Sequence, residues 1–310
     1  MTHPPTLDAT AHKAAQARLY DDHLLDDLAA GAGTFGFAKP KLIRDLAFER
    51  WLRRLELQPG QTVLDVGCNA GARLEQLRRE FQTVGTGIDL SPASIAAGQR
   101  RFPALSLQTG DAEALPFPDA TFDAAISFET FEHVPDPARV LAEMARIVRP
   151  GGRLLVYAIS RRNALTWHWW LMKLSGGRLG CGALGDHQPE LLVRPEVING
   201  AARELGLVQL GRAPFHSFFT ILYDEVVMHA LSQLLLAVQP RRVEDSRTMA
   251  LAAAGDRPVR PSWRFRLYRR WLAVVAGLTT LVDLPWRLLG LSDGVFWLFA
   301  KSTASGQGQS

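Results

Sequence analysis

The stretch from Thr62 to Gly71, Thr-Val-Leu-Asp-Val-Gly-Cys-Asn-Ala-Gly, limits what this chain can fold into more than any other. A run of β-forming residues reaches an acid at Asp65, and a glycine-spaced turn follows. An apolar pattern of helical period then runs from Ala72 to Phe81. A strand feeding a tight loop into a helix N-terminus predicts the ligand crevice of an open α/β sheet. Glycines at 67 and 71 let the backbone come close to a ligand, and the first helical amides can face it. Neither the dinucleotide fingerprint G-x-G-x-x-G nor a phosphate loop closed by Gly-Lys-Ser/Thr is present.

The same strand-then-helix unit repeats downstream. Thr83 to Leu90 reads as a second strand ending near Asp89, and Pro92 after Ser91 starts a helix that runs to Arg101. Asp89 lies eighteen residues past Gly71, where an acid can accept hydrogen bonds from ribose hydroxyls; helix capping is the alternative role. Leu105 to Thr109 forms a third strand before Gly110-Asp111-Ala112, and Phe122 to Ser127 a fourth. A helix over 138–149 is expected to stop at Pro150-Gly151-Gly152, with a fifth strand from Arg153 to Ser160. Five alternations predict a parallel sheet with right-handed crossovers. Pro195 to Leu205 reads as a helix, and Leu207 to Ala213 and Gly294 to Ala300 as the last two strands.

Residues 60 to 160 resemble the class I S-adenosylmethionine (SAM) methyltransferases. Their motif I, D-x-G-x-G-x-G, is written here as Asp65, Gly67, Asn69 and Gly71. Asn69 replaces the middle glycine, and asparagine tolerates positive φ better than other non-glycine residues. The Phe122-Asp123 pair and the run Arg146 to Val156 also fit the family. The resemblance implies an α/β, Rossmann-like seven-stranded sheet with a helical insertion before the last strand. It also implies SAM as cofactor, held by Asp65, Gly67, Asn69, Gly71, Asp89, Leu90, Asp111, Ala112 and Ser127, with Asp111 near the adenine amino group. The expected organisation is an N-terminal helical cap over 1–59 with helices His12–Leu28 and Pro40–Leu57. The core spans 60–215, a helical lid 216–293, and the last strand with a polar tail 294–310. Residues 1–11 read as disordered and 301–310 as a small polar tail.

After the fourth strand, Glu129, Glu132 and His133 are spaced i, i+3, i+4, so one helical turn would put all three on one face. Two carboxylates and an imidazole converging would repel unless a cation or proton sat among them. The E-x-x-E-H pattern resembles the ubiquinone-biosynthesis O-methyltransferases and the small-RNA 2′-O-methyltransferases, which hold a divalent metal there. That resemblance implies metal ligands Glu129, Glu132, His133 and His187, with Mg²⁺, Mn²⁺, Fe²⁺ or Zn²⁺ as candidates. Without a metal these residues line the site or cap the turn, and His133 or His187, with Glu129 beside them, would carry the proton transfer.

Composition narrows the partners only slightly. A net charge of +4 and a pI near 9.3 allow an anionic surface without requiring one. Two cysteines without C-x-x-C and a polar, acid-bearing N-terminus point to a cytoplasmic protein. Ile221 to Val238 and 263–291 are apolar on at least one face, and arginines 264, 266, 269 and 270 flank the second. These predict helices that pack on the core, on another subunit or on a membrane surface. The expected activity is O-methylation of a hydrophobic small molecule such as a polyprenyl phenol, secondary metabolite or lipid-linked sugar. RNA methylation, N- or C-methylation and cofactor binding without catalysis are the alternatives, and no RNA-binding module is apparent.

Overall fold

The computed structural model describes residues 10–14, 42–176, 191–228, 230 and 263–303. Seven strands form one sheet in the order β3-β2-β1-β4-β5-β7-β6. They are β1 (Thr62–Val66), β2 (Val84–Asp89), β3 (Ser106–Thr109), β4 (Phe122–Phe128), β5 (Val148–Ile159), β6 (Leu207–Phe215) and β7 (Gly294–Lys301). β1 pairs in parallel with β2 and β4, and β4 with β5, while β7 runs antiparallel between β5 and β6. The carboxyl ends of β1 to β6 and the start of β7 therefore share one edge of the sheet.

Apolar alternation along the strands supplies a core on each face. On one face Leu64, Val66, Val156 and Trp297 pack with helices Pro137–Ile147 and Pro195–Glu204. On the other, Val63, Ile126, Tyr157 and Phe296 meet helices Ile43–Arg53, Ala72–Phe81 and Pro92–Arg101. Trp51 stacks on Phe296 with ring centres 5.2 Å apart, and the Phe48 ring meets Tyr157 edge-on at 4.9 Å.

Several boundaries move for local reasons. The helix expected over 138–149 ends at Ile147, and Val148 is already extended and paired with Phe122. Pro150 disfavours a helical Arg149, so the helix stops before the proline-glycine pair. The helix expected from Pro40 to Leu57 spans Ile43–Arg53, with Glu56 in the left-handed region at its exit. Residues 10–14 are helical and Lys301 completes β7, its Nζ donating to Val148 O at 2.8 Å, so the two polar tails are shorter than expected. Most of the expected helix His12–Leu28 lies outside the described residues. So does the expected helix Ile221–Val238 beyond residue 230.

The segment between β6 and β7 leaves and returns at the carboxyl edge, where Phe215 pairs with Gly294. Helix Phe218–Ile221 continues into a π-helical stretch, Leu222–Val227, and helices Trp263–Val282 and Leu284–Leu288 follow. Buried carboxylates fasten these pieces. Asp224 accepts the Ile43 and Arg44 amides, both at 2.9 Å, and Asp283 accepts those of Phe219 and Thr220 at 2.8 and 3.0 Å. Each carboxylate satisfies amides that have no partner inside their own helix.

Candidate active site

The loop after β1 is shaped by three left-handed residues, Gly67 (φ 76°), Asn69 (φ 48°) and Gly71 (φ 76°). Asparagine at 69 thus occupies a conformation that its side chain tolerates. A Cβ on Gly67 would collide with the Thr130 hydroxyl, so this glycine lets the loop close on the segment after β4. The Gly67 and Cys68 amides donate to Ile88 O at 2.9 and 3.0 Å, which pins the loop to β2.

Carboxylates line the crevice that this loop borders. Asp89 accepts the Asn69 amide at 2.7 Å and the Ser91 amide at 2.9 Å, and Leu90 beside it is half-buried. Asp65 is buried, and its Oδ1 has no hydrogen-bond partner among the described residues. Burial pushes its carboxyl up to about 7, against the pull of Arg73 and with a push from Asp89. Ser127 donates to Val66 O at 2.8 Å beneath the loop. At the β3 end Asp111 accepts the Glu113 amide at 2.9 Å, and Ala112 is buried. Lys13 bridges Asp111 (2.6 Å) and Glu113 (2.5 Å), a contact across 98 residues that no local pattern announces. An orphaned buried oxygen and a loop that close-approaching backbone requires fit a cationic, adenosine-bearing cofactor such as SAM.

The segment after β4 is not the single helical turn expected. Glu129 stands before the turn with φ 56°, its amide donating to Tyr157 O at 2.9 Å, and only Phe131–His133 form one 3₁₀ turn. Glu132 is fully buried, and burial first, then the Glu129 charge, hold its carboxyl well above the usual range. Glu129 instead faces the Arg44 guanidinium at 3.3 Å. His133 is half-buried, and its carbonyl accepts His12 Nε2 at 2.9 Å. Glu129, Glu132 and His133 therefore do not share one face. Among the described residues no group of three or more His, Cys, Asp or Glu side chains is placed to hold a metal ion. The fourth expected ligand, His187, lies outside the described residues. With a guanidinium beside Glu129 and Glu132 fully enclosed, the described side chains do not form a ligand set for a divalent cation.

Three further groups at this edge escape a sequence reading. Arg73 is half-buried at the start of helix Ala72–Phe81, 3.9 Å above the Phe128 ring and 5.2 Å from that of Phe48; burial lowers its pKa, while Asp65 and Glu129 hold its charge. His168 is buried between carboxylates, its Nδ1 on Asp293 and its Nε2 on Glu225 at 2.7 Å. Burial alone would lower its pKa, but the two carboxylates raise it from 6.5 to about 10. Asp224 meets His216 Nε2 at 3.2 Å. Only Arg73, polar beside an apolar helical face, leaves a faint mark in the sequence. Aromatic rings gather over the same edge: Trp167 against Phe218 at 5.5 Å, Phe218 on Trp286 at 5.6 Å and Tyr157 against Phe215 at 6.5 Å.

Residues 64–156 match the methyltransferase-domain family. The chain is 34% identical over 165 residues to a ubiquinone biosynthesis O-methyltransferase of Paracidovorax citrulli (strain AAC00-1), covering 51% of this chain and 67% of that protein. It is 34% identical over 154 residues to an O-methyltransferase of Pyrenophora dematioidea, covering 44% and 58%. The chain spans between 30% and 67% of the length of such curated relatives. Among solved structures, the [4+2]-cyclase SpnF superposes with a TM-score of 0.56 at 20% identity, over 93% of this chain and 95% of that one. That likeness extends to the fold alone.

Proposed function

The chain belongs to the class I SAM-dependent methyltransferases, and from that premise we propose that it methylates a hydroxyl on a largely apolar small molecule. One observation carries the acceptor class. Trp167, Phe215, Phe218 and Trp286 form a run of aromatic contacts at the carboxyl ends of β5 and β6, with Phe215 reaching Phe296 at 5.7 Å and Phe218 stacked on Trp286 at 5.6 Å. Pockets of this make-up hold apolar ligands and orient them by a small number of polar contacts. The two O-methyltransferase relatives support oxygen as the methyl acceptor.

When bound, SAM supplies an electrophilic methyl group on a sulfonium, so the chain has to place the acceptor and take its proton. In this reading Asp65 and Asp89 favour the cationic cofactor from one side, and Arg73 limits the repulsion between Asp65 and Glu129. Glu129, held by Arg44 at 3.3 Å, lines the acceptor side and leaves the hydroxyl's one proton to His133. His133 takes the proton, since imidazole is the side chain that changes charge near neutrality. RNA is the weaker alternative because the exposed arginines of the insertion lie among leucines and tryptophans instead of along a groove.

Methyl transfer to a panel of apolar phenols, water-soluble catechols and amines, read by mass spectrometry, tests the acceptor class. A methyl ether from an apolar phenol is expected; an N- or C-methyl product, or turnover of the soluble catechols alone, overturns it. His133→Ala should lower turnover by about 10²–10⁴-fold, the usual contribution of a general base. SAM affinity should stay within a few-fold, and an unchanged turnover would remove His133 from the proton-transfer role. Asp89→Ala should weaken SAM binding by about 1–3 kcal/mol in calorimetry, as buried donors lose their acceptor.

A further inference from the structure

Helix Trp263–Val282 packs on helices Ile43–Arg53 and Phe218–Ile221, and Trp271 meets the Tyr223 ring at 6.2 Å at the margin of that contact. Leu272 is its one fully buried side chain among those described, and Tyr268, Val275 and Thr279 complete the inner side. Trp263, Leu267, Trp271, Val274, Leu278 and Leu281 face out at three- and four-residue steps, with Leu278 59% and Leu281 66% exposed. The apolar surface continues onto Leu284, Leu288 and Leu289, where Leu288 is 78% exposed. Soluble proteins seldom leave a contiguous apolar strip of this extent in water without a use for it. At 1.5 Å per residue the strip is about 30 Å long.

Its charge selects the partner. The helix holds no acid between Trp263 and Val282, and Arg266 and Arg270 are exposed at its N-terminal end. Arg269, by contrast, is committed to Glu49 at 2.7 Å. Tryptophans sit at that same basic end, and the far end is leucine-rich. A long apolar line, cationic and aromatic at one end and free of acids, is the make-up of a helix that lies in a membrane interface. Among the described residues no helix is long and apolar enough to cross a membrane.

We propose that the outer face of Trp263–Val282, continued by Leu284–Leu288, docks on an anionic lipid bilayer with its axis in the plane of the interface. The inner side of the helix contacts the elements that border the carboxyl edge of the sheet, so the bilayer would lie next to the mouth of the acceptor site. The inference concerns the surface only and stands whatever the acceptor is.

Flotation of the full chain with phosphatidylcholine vesicles, with and without phosphatidylglycerol, tests it. Binding to the phosphatidylglycerol vesicles that falls as salt is raised is the expected result. Arg266→Gln with Arg270→Gln should weaken that binding roughly thirtyfold, since each basic residue near an anionic surface contributes about fivefold. Leu267→Glu with Leu278→Glu should abolish it while SAM binding persists, which separates this surface from the cofactor site. Tryptophan emission of the unaltered protein should be quenched by brominated acyl chains, a readout that needs no variant. The proposal is overturned if the chain stays unbound with every vesicle, or if Leu267→Glu with Leu278→Glu leaves binding intact. Self-association that this double variant abolishes, without vesicle binding, would assign the strip to a second copy instead.

Discussion

Helices Pro137–Ile147 and Trp263–Val282 both carry apolar side chains at helical spacing, and the structure uses them in opposite ways. The first buries Val140, Leu141, Met144, Ala145 and Ile147 against the sheet. The second turns Leu267, Val274, Leu278 and Leu281 away from the protein. Periodicity shows that a helix has an apolar face and says nothing of what covers it. The means of attachment differ as well. Helix Pro137–Ile147 is held by apolar burial, whereas the segment between β6 and β7 is tied down by Asp224, Asp283 and the Asp293–His168–Glu225 chain. The first helix adds Arg139 and Arg146, bonded to Glu113 O, Leu115 O and Phe117 O, to a wide apolar face. Among the described residues, the second region buries only a few apolar side chains, such as Ile221 and Leu272, beside its carboxylate ties.

That contrast is exposed to measurement, first where the effect is largest. Met144→Ala should lower global stability by about 2–5 kcal/mol in denaturant unfolding, the cost of emptying a closed core site. A loss below 1 kcal/mol would mean that helix Pro137–Ile147 is less closely packed than its burial indicates. A middle-sized effect belongs to the polar clamp. His168 is raised from 6.5 to about 10, so its charged form stabilises the fold fully below pH 6.5, and this contribution fades as pH rises through about 10. The groups facing it are Asp293 and Glu225, and Arg44 and His216 lie within electrostatic reach of Glu225. Hydrogen exchange of the short helix Trp167–Leu174, which carries His168, should therefore quicken from neutral to alkaline pH, beyond the intrinsic base catalysis that Pro137–Ile147 reports as internal control. His168→Gln should remove the difference. Parallel acceleration of both helices would sink the idea of a local clamp. The smallest effect is expected at Leu278→Ala, within about 0.5 kcal/mol in detergent-free buffer, as for surface positions generally.

The sequence made the nucleotide half of the molecule readable because its determinants are local. Strand, glycine turn and helix start follow one another within Thr62–Phe81, and β2 repeats the arrangement with Asp89 and Pro92. The region around the β4 and β6 ends depends on contacts between distant residues, which local patterns do not announce. Arg44 reaches Glu129 across 85 residues, and Asp224 caps a helix start 181 residues earlier. The spacing of Glu129, Glu132 and His133 puts them on one face only if the segment makes a helical turn. A left-handed Glu129 and a 3₁₀ turn rotate the three apart, and nothing in the spacing encodes that backbone. His168 lay beside a tryptophan-rich run, where a histidine gives no sign of two buried carboxylate partners.

The pairing of Phe215 with Gly294 has a consequence for how such an enzyme changes over time. The two ends of the intervening segment stand one strand spacing apart, about 5 Å. A two-residue hairpin could close the same gap, and the entropy of closing a longer excursion rises only slowly with its length. The sheet therefore offers a port: pieces of very different size can be exchanged there while β1, β2 and their ligand loop keep their places. A graft at that port would leave the strand order and the β1 loop unchanged.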